Sequence, residues 1–311
     1  MLVVAACSSP ASSRSSAPPS TAVPSATDAT VPSACTPARV ATPAVAARVF
    51  RYAGQDRSYF LALPARYDGS QAYPLVFDFH GFAGRKEALE ALTHMGKKGT
   101  ARGFIVVTPD SLENPPQWNM FGSPGQPDDF GFVHALVADL ERRLCIDPKR
   151  VYAAGHSNGS AFSAFLVCTK PYLFAAVAMV SATTPAGCPS RVAPSVLAIA
   201  GTADPLVPYA GGSVGGSSVQ IPAARTVIDG YAKRYGCDPS PKQDQAAKGV
   251  TRLRYQHCTG GLEVVLDTVV GGTHYWPGGA DAVSDPTDSA AGKTFAATDE
   301  ILDFFARHRR P

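Results

Sequence analysis

An α/β fold, with a mostly parallel central sheet and helices on both faces, is what this sequence predicts. From Arg48 onward, short β-type runs alternate with longer stretches of helical periodicity. Several of the short runs are apolar at every position, as strands covered on both faces must be. No internal repeat and no second domain boundary follows residue 48. A strand, helix, strand rhythm of this kind is the pattern of parallel crossovers, which lay their helices over the sheet.

Taken in order, VFRY (49–52) and YFLALP (59–64) predict an opening antiparallel pair. YPLVFDF (73–79), GFIVVT (103–108), RVYAAG (150–155), LFAAVAMV (173–180), SVLAIA (195–200) and GLEVVLDTVV (261–270) predict the later strands, with TRLRYQHC (251–258) a further candidate. Helices are expected over 86–102, 130–144, 158–168, 222–235 and 295–308. In the second of these, Phe130, Val133, Val137, Leu140 and Leu144 recur at steps of three and four, which puts them on one stripe.

The bulk numbers exclude several function classes. The chain has 311 residues, 45% of them hydrophobic, enough for a substantial core. A net charge of +3 without long basic runs gives no electrostatic footprint for nucleic acid. No apolar stretch reaches the roughly 18 residues that span a bilayer.

Composition changes sharply before Arg48. Residues 8–47 are dominated by Ser, Pro, Ala and Thr, which cannot bury enough apolar surface to offset their ordering entropy, so a disordered tether is expected there. Residues 1–7 end in LVVAAC, similar to the end of a bacterial signal segment at which a cysteine is lipidated. Cys7 is therefore the candidate for lipid attachment and membrane anchoring, with residues 48–311 the folded domain of an exported protein. Cys35, Cys145, Cys168, Cys188, Cys237 and Cys258 remain, with no Cys-x-x-Cys pair and no zinc-ligand spacing to histidine. An even count of this kind points to disulfides and an oxidising compartment. Cys237 and Cys258 flank a Pro/Lys/Gln-rich loop and are expected to pair; the other four are left unassigned.

Two segments, GHSNG around Ser157 and GGSVG around Ser213, contain Gly-x-Ser-x-Gly. With 28 glycines in the chain the pattern is weak by itself, and context decides. A nucleophilic serine needs a tight turn between a strand and a helix. Ser157 has the apolar run VYAAG before it and helix-compatible SAFSAFLVC after it, whereas Ser213 lies in a glycine-rich loop. Ser157 is the predicted nucleophile.

A serine hydroxyl needs a base, and the base a carboxylate to orient it. Of the histidines after Ser157, His257 falls in a candidate strand and His308 in a basic tail expected to be a solvated helix end. His274 stands in VVGGTHYWPGG, a loop directly after a strong strand, and is the predicted base. Asp204, in the turn after SVLAIA, is the predicted acid; Asp229 sits in a helical pattern and Asp267 inside a strand. Two backbone N–H donors are needed for the oxyanion. Asn158, just after the nucleophile, and Phe82, in the HGFAG loop, are expected to supply them, while His80 braces that loop. Trp118 and Trp276 are candidates for a substrate pocket, and Asp128 and Asp129 read as a helix cap rather than metal ligands.

With HGFAG, GHSNG, GTADPLVPY and GGTHYWPGG in this order, the chain resembles the exported poly(3-hydroxybutyrate) depolymerase and feruloyl esterase group of the α/β-hydrolases from about residue 48 to the end. The resemblance implies a Ser157, Asp204, His274 triad, ester hydrolysis through an acyl-enzyme, and no cofactor or metal. It departs from that group in the FAGR that follows the first His-Gly. A serine peptidase on the same fold and a catalytically silent binding lipoprotein are the alternatives.

Overall fold

The computed structural model describes residues 34–170, 172–184 and 194–310. Cys7, Cys188 and the expected tether through residue 33 lie outside the described residues. Strands β1 (Val45–Tyr52), β2 (Gln55–Ala62), β3 (Tyr73–Phe79), β4 (Ile105–Pro109), β5 (Ile146–His156), β6 (Ala176–Val180) and β7 (Ser195–Gly201) are followed by the two-residue strands β8 (Gly212–Ser213) and β9 (Gln220–Ile221). Then come β10 (Lys242–Ala247), β11 (Val250–Tyr255) and β12 (Val264–Val269). The α-helices are α1 (Lys86–Thr93), α2 (Met95–Ala101), α3 (Asp129–Arg143), α4 (Asn158–Thr169), α5 (Ala224–Arg234), α6 (Ala280–Ser284), α7 (Ala290–Thr294) and α8 (Ala297–Arg307).

The main sheet runs β1-β2-β4-β3-β5-β6-β7-β12-β11-β10. Its centre, from β4 to β12, is parallel throughout, and an antiparallel pair closes each side. The predicted mostly parallel sheet is thus present, and the loops after β3, β5, β7 and β12 all emerge along its carboxyl edge. Alternate side chains of one strand point to opposite faces. In β3, Leu75, Phe77 and Phe79 enter the core beneath α3, α4 and α5, while Val76 enters the core beneath α2 and α8. Both cores are almost wholly aliphatic and aromatic, which explains why the strands between them read as unbroken apolar runs.

Three local departures from the sequence pattern have physical causes. The helix expected over 86–102 breaks at His94, which is left-handed at φ 51°. There the Glu90 carboxylate accepts from the N–H groups of Gly96 (2.8 Å) and Lys97 (3.2 Å), restarting the chain as α2. β10, with the sequence KQDQAA, is polar because it is an edge strand with its side chains largely in water. His308 is not solvated: its side chain is 10% exposed, held by the Phe304 carbonyl (Nδ1, 2.7 Å) and Glu263 (Nε2, 3.2 Å).

Residues 34–44, expected as part of the tether, lie along the domain. Ala34 bridges Gln71, Cys35 is disulfide-bonded to Cys145, and the Arg39 guanidinium donates to the carbonyls of Glu141 and Leu144. Cys145 directly precedes β5, so this strap is stapled at the end of β5 opposite Ser157. Cys237 and Cys258 form a disulfide, the predicted pair, and Cys168 is disulfide-bonded as well.

Candidate active site

β5 runs into α4 with a single residue, Ser157, between them. Ser157 has φ 54° and ψ −115°, a conformation that costs a side-chain-bearing residue on the order of 1–3 kcal/mol. The surroundings hold it there. Its N–H donates to the Val180 carbonyl (2.9 Å), and its carbonyl accepts from Ala161 (3.1 Å) as α4 begins. The two glycines of GHSNG are sterically required: a Cβ at Gly155 would stand 2.3 Å from the Gly159 carbonyl oxygen, and one at Gly159 would stand 2.2 Å from that of Phe79.

His274 and Asp204 come to the same place from the ends of β12 and β7. His274 Nε2 is 2.8 Å from Ser157 Oγ, and Nδ1 is 2.7 Å from Asp204 Oδ2. Asp204 Oδ1 accepts from the N–H groups of Leu206 and Val207, both at 2.8 Å, so the carboxylate is fixed by its own turn. With Nδ1–H donating to Asp204, Nε2 presents its lone pair to the serine hydroxyl. Ser213, by contrast, sits in the β8–β9 hairpin, where its hydroxyl donates to the Ser217 carbonyl. Asp229 lies in α5 and Asp267 pairs with Arg252 inside the sheet (2.7 Å), so neither reaches His274. His257 is exposed and pairs with Asp238 (2.6 Å).

The loop after β3 passes against the serine, since a Cβ at Gly81 would lie 3.3 Å from Ser157 Cβ. His80 is buried: its Nε2 accepts from the Ser111 N–H (3.2 Å) and its Nδ1–H donates to the Gly81 carbonyl (2.7 Å). Burial lowers its proton affinity, which keeps the ring neutral and able to do both. The Gly81 carbonyl also accepts from Gly84 (3.1 Å). In a trans peptide the N–H points opposite to the C=O, so anchoring the Gly81 carbonyl fixes the direction of the Phe82 N–H. Asn158 is the first residue of α4, and its side-chain oxygen accepts from the Trp118 N–H (2.8 Å).

Trp118 and Trp276 are both buried, and the cavity of about 100 Å³ that Trp276 borders is lined by Leu92, His94 and Lys98 and by none of Ser157, Asp204 and His274. The two tryptophans are 2% and 0% exposed, because each indole both fills a core and finds a buried acceptor for its N–H. Trp118 stacks on Phe162 and donates to the His80 carbonyl (3.0 Å); Trp276 donates to Thr298 Oγ1 (3.0 Å). Phe82, Leu206 and Tyr275 are exposed apolar side chains in the loops of this edge, each within two residues of His80, Asp204 or His274. Sequence reasoning gave Phe82 a backbone role only and did not single out Leu206 or Tyr275, because exposure cannot be read from type alone. His156 was also missed: its Nε2–H donates to the carbonyl of His274 (2.8 Å).

Asp128 accepts from the Gly131 N–H (2.9 Å) as the cap of α3 and from the Tyr52 hydroxyl (2.7 Å), a bond that leads the causes raising Tyr52 to about 12. Asp129 pairs with buried Arg57 at 2.6 Å. Among the described residues no group of three or more His, Cys, Asp or Glu is placed to hold a metal ion.

No family model matches the chain. It is 30% identical to feruloyl esterase B of Piromyces equi over 230 residues, which span 70% of this chain and 42% of that one. It is 27% identical to feruloyl esterase D of Neurospora crassa, over 71% of this chain and 74% of that one. Over nearly its full length, 93% of this chain and 91% of the relative, it is 30% identical to the "Putative esterase NocK" of Nocardia uniformis subsp. tsuyamanensis. Among solved structures, a thermostable esterase superposes with a TM-score of 0.57 at 17% identity, covering 86% of this chain and 63% of that one. The acetyl xylan esterase from Aspergillus awamori superposes with a TM-score of 0.56 at 15% identity, covering 75% of this chain and 95% of that one. These two likenesses show the α/β-hydrolase fold, and the sequence relationship to NocK adds the lineage: the chain belongs to the esterase family of the α/β-hydrolases.

Proposed function

We propose that this protein is a serine carboxylic-ester hydrolase in which Ser157 is the nucleophile, His274 the general base and acid, and Asp204 the orienting carboxylate. The observation that carries the reading is the placement of the His274 ring, 2.8 Å from Ser157 Oγ on one side and 2.7 Å from Asp204 on the other. His274 Nε2 takes the hydroxyl proton as Ser157 Oγ bonds to the ester carbonyl carbon. The carbonyl oxygen becomes an oxyanion, held by the N–H groups of Phe82 and Asn158. As the intermediate collapses, the alkoxide leaves with the proton from His274, and the acyl group remains on Ser157. Water, deprotonated by His274, then attacks the acyl-enzyme and releases the acid and the free serine.

Two observations support the oxyanion role. Asn158 N–H is the first amide of α4, where helix amides lack intrahelical acceptors and the helix dipole favours negative charge. The Phe82 N–H is directed by the His80 and Gly84 bonds to the preceding carbonyl.

The exposed Phe82, Leu206 and Tyr275, each within two residues of His80, Asp204 or His274, favour an ester with an apolar or aromatic acyl group over a peptide. Feruloyl esterases among the relatives point the same way, so a feruloyl-type ester is the proposed substrate, with short-chain and hydroxybutyrate esters the comparison set. The disulfides support an extracytoplasmic location, with Cys7 the residue that would carry a lipid. Turnover of methyl ferulate, p-nitrophenyl acetate, p-nitrophenyl butyrate and hydroxybutyrate oligomers, measured beside Ser157→Ala, tests this reading. Activity confined to the form with Ser157 and highest on methyl ferulate is expected; activity surviving in Ser157→Ala removes Ser157 from the reaction.

A further inference from the structure

We propose that His156, the residue before the nucleophile, is a positioning residue that sets the base against the serine by holding the carbonyl of His274. This rests on the hydrolase reading of Ser157, His274 and Asp204. The His156 Nε2–H donates to the His274 carbonyl at 2.8 Å, and the two rings lie 5.2 Å apart. His156 ends β5, where it is paired with Val180 of the neighbouring strand, so its own backbone is fixed by the sheet. The bond therefore ties the backbone beside the nucleophile directly to the backbone of the base, across 118 residues of sequence.

The other bonds in this loop act on different atoms. Asp204 fixes the rotation of the His274 ring. Asp288 holds Thr273 (3.0 Å) and Thr298 holds Trp276, on either side of the base. The His156 bond acts on the base's own peptide, and displacements of about 1 Å at reacting groups cost on the order of a hundredfold in rate. The same ring also abuts the loop after β3, since a Cβ at Gly81 would lie 3.3 Å from His156 Nδ1. Desolvation and the nearby His274 push the proton affinity of His156 down to about 4, so near neutral pH the ring is uncharged with a single N–H to give.

Two variants of the full chain test the assignment: His156→Phe keeps an aromatic ring without a donor, and His156→Gln keeps an N–H. Turnover is measured on p-nitrophenyl acetate, and the downfield proton resonance of the His274–Asp204 hydrogen bond by NMR. We expect His156→Phe to lower kcat 10- to 100-fold with KM within about twofold and to shift or broaden that resonance. His156→Gln should recover most of both. His156→Leu takes the place of His156→Phe should the latter not fold. Wild-type kcat and an unmoved resonance in the donorless variant overturn the proposal, as does equal loss in the two variants. Absence of ester turnover in the wild type sinks the hydrolase reading instead, and the resonance still reports on the clamp.

Discussion

Gly201 and Gly272 touch: a Cβ on Gly201 would stand 2.2 Å from the Gly272 carbonyl oxygen and 2.7 Å from that of Thr273. Gly201 ends the strand that leads to Asp204, and Gly272 lies two residues before His274. Their contact, with the Ala203 N–H bonded to the Gly272 carbonyl (2.9 Å), brings Asp204 and His274 within hydrogen-bond reach. Gly201→Ala should therefore push the two loops apart. We expect kcat/KM to fall on the order of a hundredfold. Stability should fall by about 1–3 kcal/mol, the usual cost of overpacking. Steady-state kinetics and a denaturant titration on the same preparation check both.

In the proposed mechanism Asp204 works through orientation, with Oδ2 on His274 and Oδ1 on the N–H groups of Leu206 and Val207. An amide there turns one acceptor into a donor and disfavours the tautomer that leaves Nε2 free for the serine proton. Asp204→Asn should lower kcat by about 10⁴, as the equivalent change does in a serine protease triad, with little effect on KM. Single-turnover kinetics on p-nitrophenyl acetate separate this from a binding defect.

Asp78 sits fully buried in β3, with Thr93 Oγ1 donating to Oδ2 (2.9 Å), and desolvation raises its pKa to about 8. An unfolded aspartate titrates near 3.9, so between roughly pH 4 and 8 the unfolded chain has released a proton that the folded chain keeps. The contribution to stability is thus full below the unfolded value and is lost as pH rises towards 8. The slope approaches about 1.4 kcal/mol per pH unit for one proton. Asp78→Asn, which cannot ionise, should gain stability relative to wild type as pH is raised from 5 to 8. Urea midpoints at the two pH values read this difference.

The Cys35–Cys145 disulfide closes a long loop, its ends 110 positions apart in sequence, at the edge of the sheet away from Ser157. Replacing both cysteines by serine should cost about 2–5 kcal/mol of stability. It should also expose residues 34–44 to proteolysis while leaving kcat per folded molecule unchanged. Chemical denaturation with and without the bridge, and the sites of limited proteolysis, test the two parts separately.

What was legible in the sequence follows from which interactions are local. The apolar runs of β3 to β7 and β12 announce a sheet covered on both faces, and the turn chemistry of GHSNG announces Ser157 between strand and helix. His274 and Asp204 were reachable because each stands in a loop straight after a strong strand. The break at His94 was hidden, since it depends on the Glu90 side chain folding back onto the next helix. The buried places of Trp118 and Trp276 and the exposed one of Phe82 depend on packing between elements far apart in the chain, which residue type does not reveal. The strap over 34–44 was masked by its Ala/Pro/Thr-rich composition; what holds it is one disulfide, the bonds of Arg39 and backbone bonds to Leu63, Gly69, Ser70 and Gln71 rather than a run of apolar contacts.

The central claim is that Ser157 becomes acylated because His274 removes its proton. Peptide mapping by mass spectrometry after treatment with a fluorophosphonate tests it most directly, with Ser157→Ala and His274→Ala run alongside. A single adduct on Ser157, lost in Ser157→Ala and slowed by several powers of ten in His274→Ala, is the expected result. An adduct on another residue, or undiminished labelling of Ser157 without His274, would contradict the mechanism.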